Sequence, residues 1–129
     1  MTDTPEFKRW QERYSTPEYA FGKEPNAFLA RCQPLLPKSG KALAVADGEG
    51  RNGVWLAKQG LNVLSIDFSP AALAKARTLA AESNVAVTFI EADVHAWDYP
   101  DRSMWWRRYL RSSVRQPTGR ANGPACAVR

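Results

Sequence analysis

Two apolar runs in this 129-residue chain end in an aspartate, and a third runs into a glycine-rich loop. Asp67 closes "LNVLSID" (61–67), and Asp93 closes "VAVTFIEAD" (85–93). The run "KALAVA" (41–46) leads directly into Asp47, Gly48, Glu49 and Gly50. A carboxylate at a strand end can accept hydrogen bonds from paired hydroxyls or from an amino group. Glycines reach backbone angles that other residues avoid and let the main chain touch a ligand. Such residues hold a nucleotide-like molecule; they do not form an acid–base pair or a nucleophile. With His95 the sole histidine, and with Cys32 and Cys126 far apart, neither a metal site nor a disulfide framework is expected.

Gly48, Gly50 and Gly53 fit G-x-G-x-x-G, a spacing that two cofactor classes share. NAD(P) sets an anionic pyrophosphate against the loop and the helix that follows. S-adenosylmethionine carries no phosphate and bears a sulfonium cation. Asp47 and Glu49 flank Gly48. Two carboxylates facing a pyrophosphate would repel it, whereas a cation makes them tolerable. This favours the methyl donor, with an NAD(P)-dependent oxidoreductase domain as the alternative. Two plainer roles stay open: Gly48 and Gly50 as a tight turn, and Asp67 as a helix cap.

The elements that must position these groups alternate between strand and helix. A helix spans 51–59, with Gly60 ending it at the C′ position. In "SPAALAKARTLAAES" (69–83), Ser69 is an N-cap and Pro70 occupies N1. Ala72, Leu73, Ala76, Leu79 and Ala80 recur on one face of that helix. Strand–helix–strand–helix–strand is half of a doubly wound, Rossmann-like α/β sheet, whose ligands sit at the carboxyl ends of the strands. Ahead of it, Phe7, Trp10 and Tyr14 predict a helix over 5–15, and Asn26 caps a second from Ala27 to Gln33 that Pro34 ends. The aromatics of this segment suit core packing or a lid hinged at Phe21 and Gly22. The chain therefore divides into a helical or lid segment (1–40), a partial cofactor-binding α/β domain (41–100) and a basic tail (101–129).

Charge is distributed unevenly. Residues 1–100 hold 11 Lys and Arg against 12 Asp and Glu, while 101–129 hold seven Arg and one Asp. A near-neutral body gives no reason to expect nucleic acid there. With no long apolar run and no signal-peptide core, a cytoplasmic protein without membrane contact is expected.

"ADGEGRNGVWLAKQG" (46–60), "VLSIDFSPAALAKAR" (63–77) and "VTFIEADVHAWDYP" (87–100) resemble the first three cofactor segments of class I S-adenosylmethionine-dependent methyltransferases. "WQERYSTPEYAFGKEPNAFL" (10–29) resembles the N-terminal region of the small bacterial branch that includes tellurite-resistance and thiopurine methyltransferases. The resemblance implies methyl transfer to a small molecule. It lays Asp47, Gly48, Glu49 and Gly50 along the methionine part of the cofactor. It gives Asp67 the ribose hydroxyls and sets Phe68 against the adenine. Asp93 would accept from the adenine amino group, and the Val94 backbone would face a ring nitrogen. Two positions depart from the family pattern: Ala44 replaces an acid, and Ala46 replaces the first glycine. No general base is recognisable in residues 1–100, and the catalytic residue is open.

The resemblance stops near residue 101. Met104, Trp105 and Trp106 have single codons, so the message reads AUG UGG UGG. In another frame those letters encode Val-Val, with Asp able to precede and Ala or Glu forced to follow. Phe-Asp-Val-Val-Ala would suit the fourth strand of this fold. The expectation is a chain truncated or frameshifted after about residue 101, with 102–129 out of frame or disordered. Such a chain would have impaired activity, an open sheet edge and a tendency to self-associate. A non-catalytic nucleotide-binding fragment is the further alternative. The nucleotide sequence across codons 98–107 is the check. An open methyltransferase-like frame beyond it is the expected outcome, and the absence of one contradicts the reading.

Overall fold

The computed structural model describes residues 4–97. The basic tail and the proposed frame change lie outside the described residues. The element order is α1 (Pro5–Tyr14), α2 (Ala27–Arg31), a 3-10 turn (Gln33–Leu35), β1 (Lys41–Val45), α3 (Arg51–Lys58), β2 (Asn62–Asp67), α4 (Pro70–Glu82) and β3 (Val87–Glu91). The three strands form one parallel sheet in the order β1-β2-β3. This is a helical segment followed by part of a Rossmann-like sheet.

Helices α1, α2 and α4 begin where the N-cap residue supplies an acceptor for the unpaired amides of a first turn. Thr4 caps α1 through the Phe7 N–H, and Asn26 caps α2 through the Phe28 and Leu29 N–H groups. Ser69 caps α4 through the Ala72 N–H, with Pro70 in the first turn. The α2 helix is shorter than its sequence suggests. It ends at Arg31, and Pro34 lies inside the 3-10 turn that follows. At the start of such a turn the missing proline N–H costs little. Gly60, with φ of 94°, turns the chain out of α3, and Asn84, with φ of 55°, does the same after α4.

Both faces of the sheet are used. On one, Ala42, Ala44 and Val63 pack with Leu56 of α3 and with Leu29 and Cys32 from the α2 region. Val54, Leu79 and Ala80 join α3 to α4 and reach Phe89 on β3. The five residues that periodicity places on the inner face of α4 are all buried. On the opposite face, fully buried Leu43 and Ile66 are backed by Ala92, Val94 and Trp97. Trp97 is therefore a packing residue.

The register places Val45 beside Ile66 and Asp67 beside Glu91, so all three strands finish at one end of the sheet. There the chain leaves β1 through alternating left-handed residues: Ala46 at φ 53°, Gly48 at 59° and Gly50 at 84°. Glycine takes such angles freely, but alanine is strained by its Cβ. Ala46→Gly is therefore expected to stabilise the protein by about 1 kcal/mol, reduced by the added freedom of the unfolded chain. Urea unfolding of the two proteins measures this, and a loss of stability in the glycine variant contradicts it.

Candidate functional site

The loop after β1 is held from below by two aspartates. Asp67 ends β2, and its Oδ2 accepts the Gly48 N–H at 3.0 Å while Oδ1 accepts the Ser69 N–H at 2.9 Å. One carboxylate thus fixes the glycine loop and the start of α4 together. Burial raises its pKa above the usual carboxylate range, against the lowering effect of the amides that donate to it. Its role in the turn after β2 coexists with spare acceptor capacity, because a carboxylate has about four lone-pair directions.

Asp47 points inward. Its Oδ1 accepts the Gly53 N–H at 3.2 Å, and its Oδ2 accepts the Ser65 hydroxyl at 2.8 Å. A Cβ at position 53 would collide with Asp47 Oδ2 and sit 3.6 Å from Ala44 Cβ. Gly53 therefore allows α3 to approach the loop closely. The same contacts show that Asp47 brings a carboxylate beside Ala44, the strand position where the sequence lacks an expected acid. Burial pushes the Asp47 pKa up to about 7, opposed by the Ser65 and Gly53 hydrogen bonds.

Glu49 is also engaged by protein. Its Oε1 accepts the Ala20 N–H at 2.7 Å, and its Oε2 pairs with Lys75 Nζ of α4 at 2.6 Å. Glu49 is thus paired with Lys75, and Asp47 is turned inward onto Gly53 and Ser65, so the charge-based preference for a sulfonium loses much of its force. Pairing across distant segments, invisible to a local reading of the loop, is the reason.

A strap, residues 15–26, crosses above the loop. Lys75 Nζ donates to the Glu18 carbonyl and the Tyr19 hydroxyl to the Lys75 carbonyl, while Asn52 Oδ1 accepts the Asn26 N–H. Beneath it lies a cavity of about 70 Å³ lined by Tyr14, Phe21, Gly22, Ala46, Asp47, Glu49, Arg51 and Asn52. Tyr14 stands directly over the loop, its Oη 2.8 Å from where a Gly48 Cβ would lie. Burial, then the charges of Asp67 and Glu49, push the Tyr14 pKa up to about 12. Sequence reasoning assigned Tyr14 to a helix face and missed it as a lining residue. Its Trp10–Tyr14 spacing was visible, but its destination depends on where α1 docks.

Two further sequence candidates extend the line of strand ends. Phe68 follows Asp67 and meets Phe7 of α1 edge-on, with ring centroids 5.3 Å apart. Asp93 falls two residues beyond β3, at the same sheet end, because the Ala92 N–H donates to the Asp67 carbonyl at 3.0 Å. Its Oδ1 accepts the His95 N–H, which makes it the head of a tight turn containing Val94. Among the described residues no cluster of His, Cys, Asp and Glu could hold a metal ion, and no helix is long and apolar enough to cross a membrane.

Glycine loop, strand ends and helices match a family model described as a methyltransferase domain over residues 42–106, half of the chain. The chain belongs to the methyltransferase domain family. Its fold is that of class I S-adenosylmethionine-dependent methyltransferases. A methyltransferase of Geobacter sulfurreducens, solved with S-adenosyl-L-homocysteine, matches with a TM-score of 0.56 and 24% identity. The match covers 78% of this chain and 41% of that one. A Pyrococcus horikoshii protein matches with a TM-score of 0.51 and 25% identity, over 74% of this chain and 43% of its own. A TehB-like methyltransferase of Corynebacterium glutamicum matches at 0.50 and 24%, over 71% and 45%. The chain thus spans less than half the length of each of these methyltransferase-fold relatives. No curated protein sequence matches it.

The raised Asp47 pKa has a consequence for stability. An acid whose folded pKa lies above its unfolded value binds more protons when folded. Its contribution is complete below the unfolded value, near 3.8, and is lost as pH rises through about 7. Asp47→Asn keeps an acceptor for Gly53 and a donor for Ser65 but cannot titrate. The variant is expected to melt progressively higher relative to the parent as pH rises from 5 to 8. Parallel pH profiles of melting temperature would contradict the assignment.

Proposed function

We propose that this chain binds S-adenosylmethionine at the carboxyl ends of β1, β2 and β3 and belongs to an enzyme that methylates a small molecule. The observation that carries this is the convergence of the glycine loop, Asp67 and Asp93 at one sheet end, in a chain of the methyltransferase domain family. The tellurite-resistance and thiopurine branch is the finer placement, supported by the fold match to a TehB-like methyltransferase.

In this reading Asp67 turns its unused lone pairs to the two ribose hydroxyls while keeping Gly48 and Ser69 in place. Phe68 offers a ring to the adenine, the Asp93 carboxylate accepts its amino group, and the Val94 backbone faces a ring nitrogen. Asp47, Gly48, Glu49 and Gly50 line the methionine end. When bound, the cofactor supplies an electrophilic methyl on a sulfonium. The protein's part is to hold the acceptor in line with that methyl and to exclude water. No side chain of residues 4–97 is assigned as a base.

The cavity of about 70 Å³ is far below the roughly 300 Å³ at which ligand pockets begin. In this reading the strap and α1 move away from the loop when the methionine end of the cofactor enters. We read the strap and α1, within the 1–40 segment, as the lid. Residues 41–100 form the cofactor-binding part.

A second reading is a nucleotide-binding fragment without turnover, since the chain spans less than half the length of these relatives. Calorimetry of the full chain with S-adenosylhomocysteine and with NADH separates these proposals. Binding of S-adenosylhomocysteine and none of NADH is expected, with Asp67→Asn weakening the former about tenfold or more. Binding of NADH alone contradicts the proposal. Binding of S-adenosylhomocysteine without methyl transfer to any acceptor assigns the chain to the fragment reading.

A further inference from the structure

The α3 helix begins without a side chain of its own to cap it. First-turn amides lack partners inside a helix, and an N-cap side chain normally accepts from the second or third of them. The N-cap of α3 is Gly50, which offers no side chain and stands at a left-handed φ of 84°. A Cβ there would lie 2.7 Å from the Ala76 Cβ of α4, so position 50 is closed to a capping residue. The acceptor comes instead from three residues upstream. Asp47 Oδ1 takes the N–H of Gly53, the third residue of α3, at 3.2 Å. A carboxylate at this end of a helix also gains from the helix dipole.

Asp47 is tied through its other polar groups as well. Its N–H donates to the Ile66 carbonyl of β2 at 3.2 Å, and its carbonyl accepts the Gly50 N–H at 3.1 Å. Its Oδ2 accepts the hydroxyl of Ser65, which is fully buried. The hollow that takes the carboxylate is bounded by small residues. Gly53 leaves it open, because a Cβ there would strike Asp47 Oδ2 and lie 3.6 Å from the Ala44 Cβ. Ala44 is the register neighbour of Ser65 across β1 and β2. A carboxylate could therefore enter this hollow from position 44 on the strand or from position 47 on the loop. Two acids would compete for the same donors. The charged groups that act on Asp47 are Arg51, which favours the anion, and Asp67, which opposes it.

We infer that Asp47 is a positioning residue: its carboxylate caps α3 in place of Gly50 and so fixes the Gly48–Gly50 backbone from behind. The loop can then keep glycines where a ligand needs close approach to the main chain, while the cap is supplied from outside them. Asp47 acts on a ligand through Gly53, Ser65 and the loop backbone, and its carboxylate makes no contact with one. The effect on binding rests on the proposed cofactor site; the cap of α3 does not.

Three variants of the full chain test this. D47A removes the acceptor, D47N keeps an acceptor without the charge, and A44D/D47A returns a carboxylate to the hollow from β1. Amide hydrogen exchange of Gly53, read against the amides of β2, reports the cap without any ligand. Calorimetry with S-adenosylhomocysteine reports the loop, and melting temperature reports folding. In D47A, Gly53 is expected to exchange about tenfold faster relative to β2, and S-adenosylhomocysteine to bind about tenfold more weakly. D47N and A44D/D47A each recover most of both losses.

A loss in D47N as large as in D47A, with no recovery in A44D/D47A, means that the carboxylate meets the ligand directly and overturns the inference. So does a D47A protein that stays folded and binds like the parent, or Gly53 exchange that D47A leaves unchanged. If D47A does not fold, binding about tenfold weaker in D47N is the contradicting result. A parent that does not bind S-adenosylhomocysteine removes the cofactor proposal, and Gly53 exchange then decides the cap alone.

Discussion

The Asp67 carboxylate is the interaction on which the site depends. It ends β2, accepts the Gly48 N–H across the sheet end and accepts the Ser69 N–H at the start of α4. Removing it would break one of the ties between the glycine loop and β2 and loosen the start of α4 in one step. The cost is a buried charge, visible in its raised pKa. Two backbone amides offset much of that cost, as buried carboxylates require. Asp47 repeats the solution one layer deeper, against Gly53 and Ser65.

From this arrangement the rest of the site follows. With the loop fixed, Glu49 can reach across to Ala20 and Lys75, which pins the strap to the glycine loop and to α4. With the strap pinned, Tyr14 and Phe21 come to rest over the loop and shrink the cleft. Unlike α1, which is anchored by buried Phe7 and Tyr14, the strap is held by a small set of hydrogen bonds. Segments held in this way open at lower free energy than the core strands do.

Much of the fold was legible in the sequence because it rests on local signals. Ser69-Pro70 marks the start of α4, Gly60 the end of α3, and the three apolar runs the strands. The convergence of Asp67, Asp93 and the loop at one sheet end also follows, because parallel strands joined by helices must finish together. What could not be read was pairing between distant segments. Glu49 meets Lys75 and Ala20 only after α4 and the strap are placed, so its charge looked available in the sequence and is not. Ala46 stands where the family pattern has glycine, and the structure shows the price of that departure as a left-handed alanine. Asp47 serves the Gly53 amide from upstream of Gly50, the N-cap of α3, and no cap signature in the sequence marks it.

Amide chemical shifts during titration of the full chain with S-adenosylhomocysteine test the central claim most directly. The largest changes are expected at Gly48 and Gly50, at Phe68 and at Asp93 and Val94, in one saturating phase, with strap residues such as Ala20 shifting alongside. Changes confined to other residues, or none at all at saturating ligand, would contradict a cofactor site at the three strand ends.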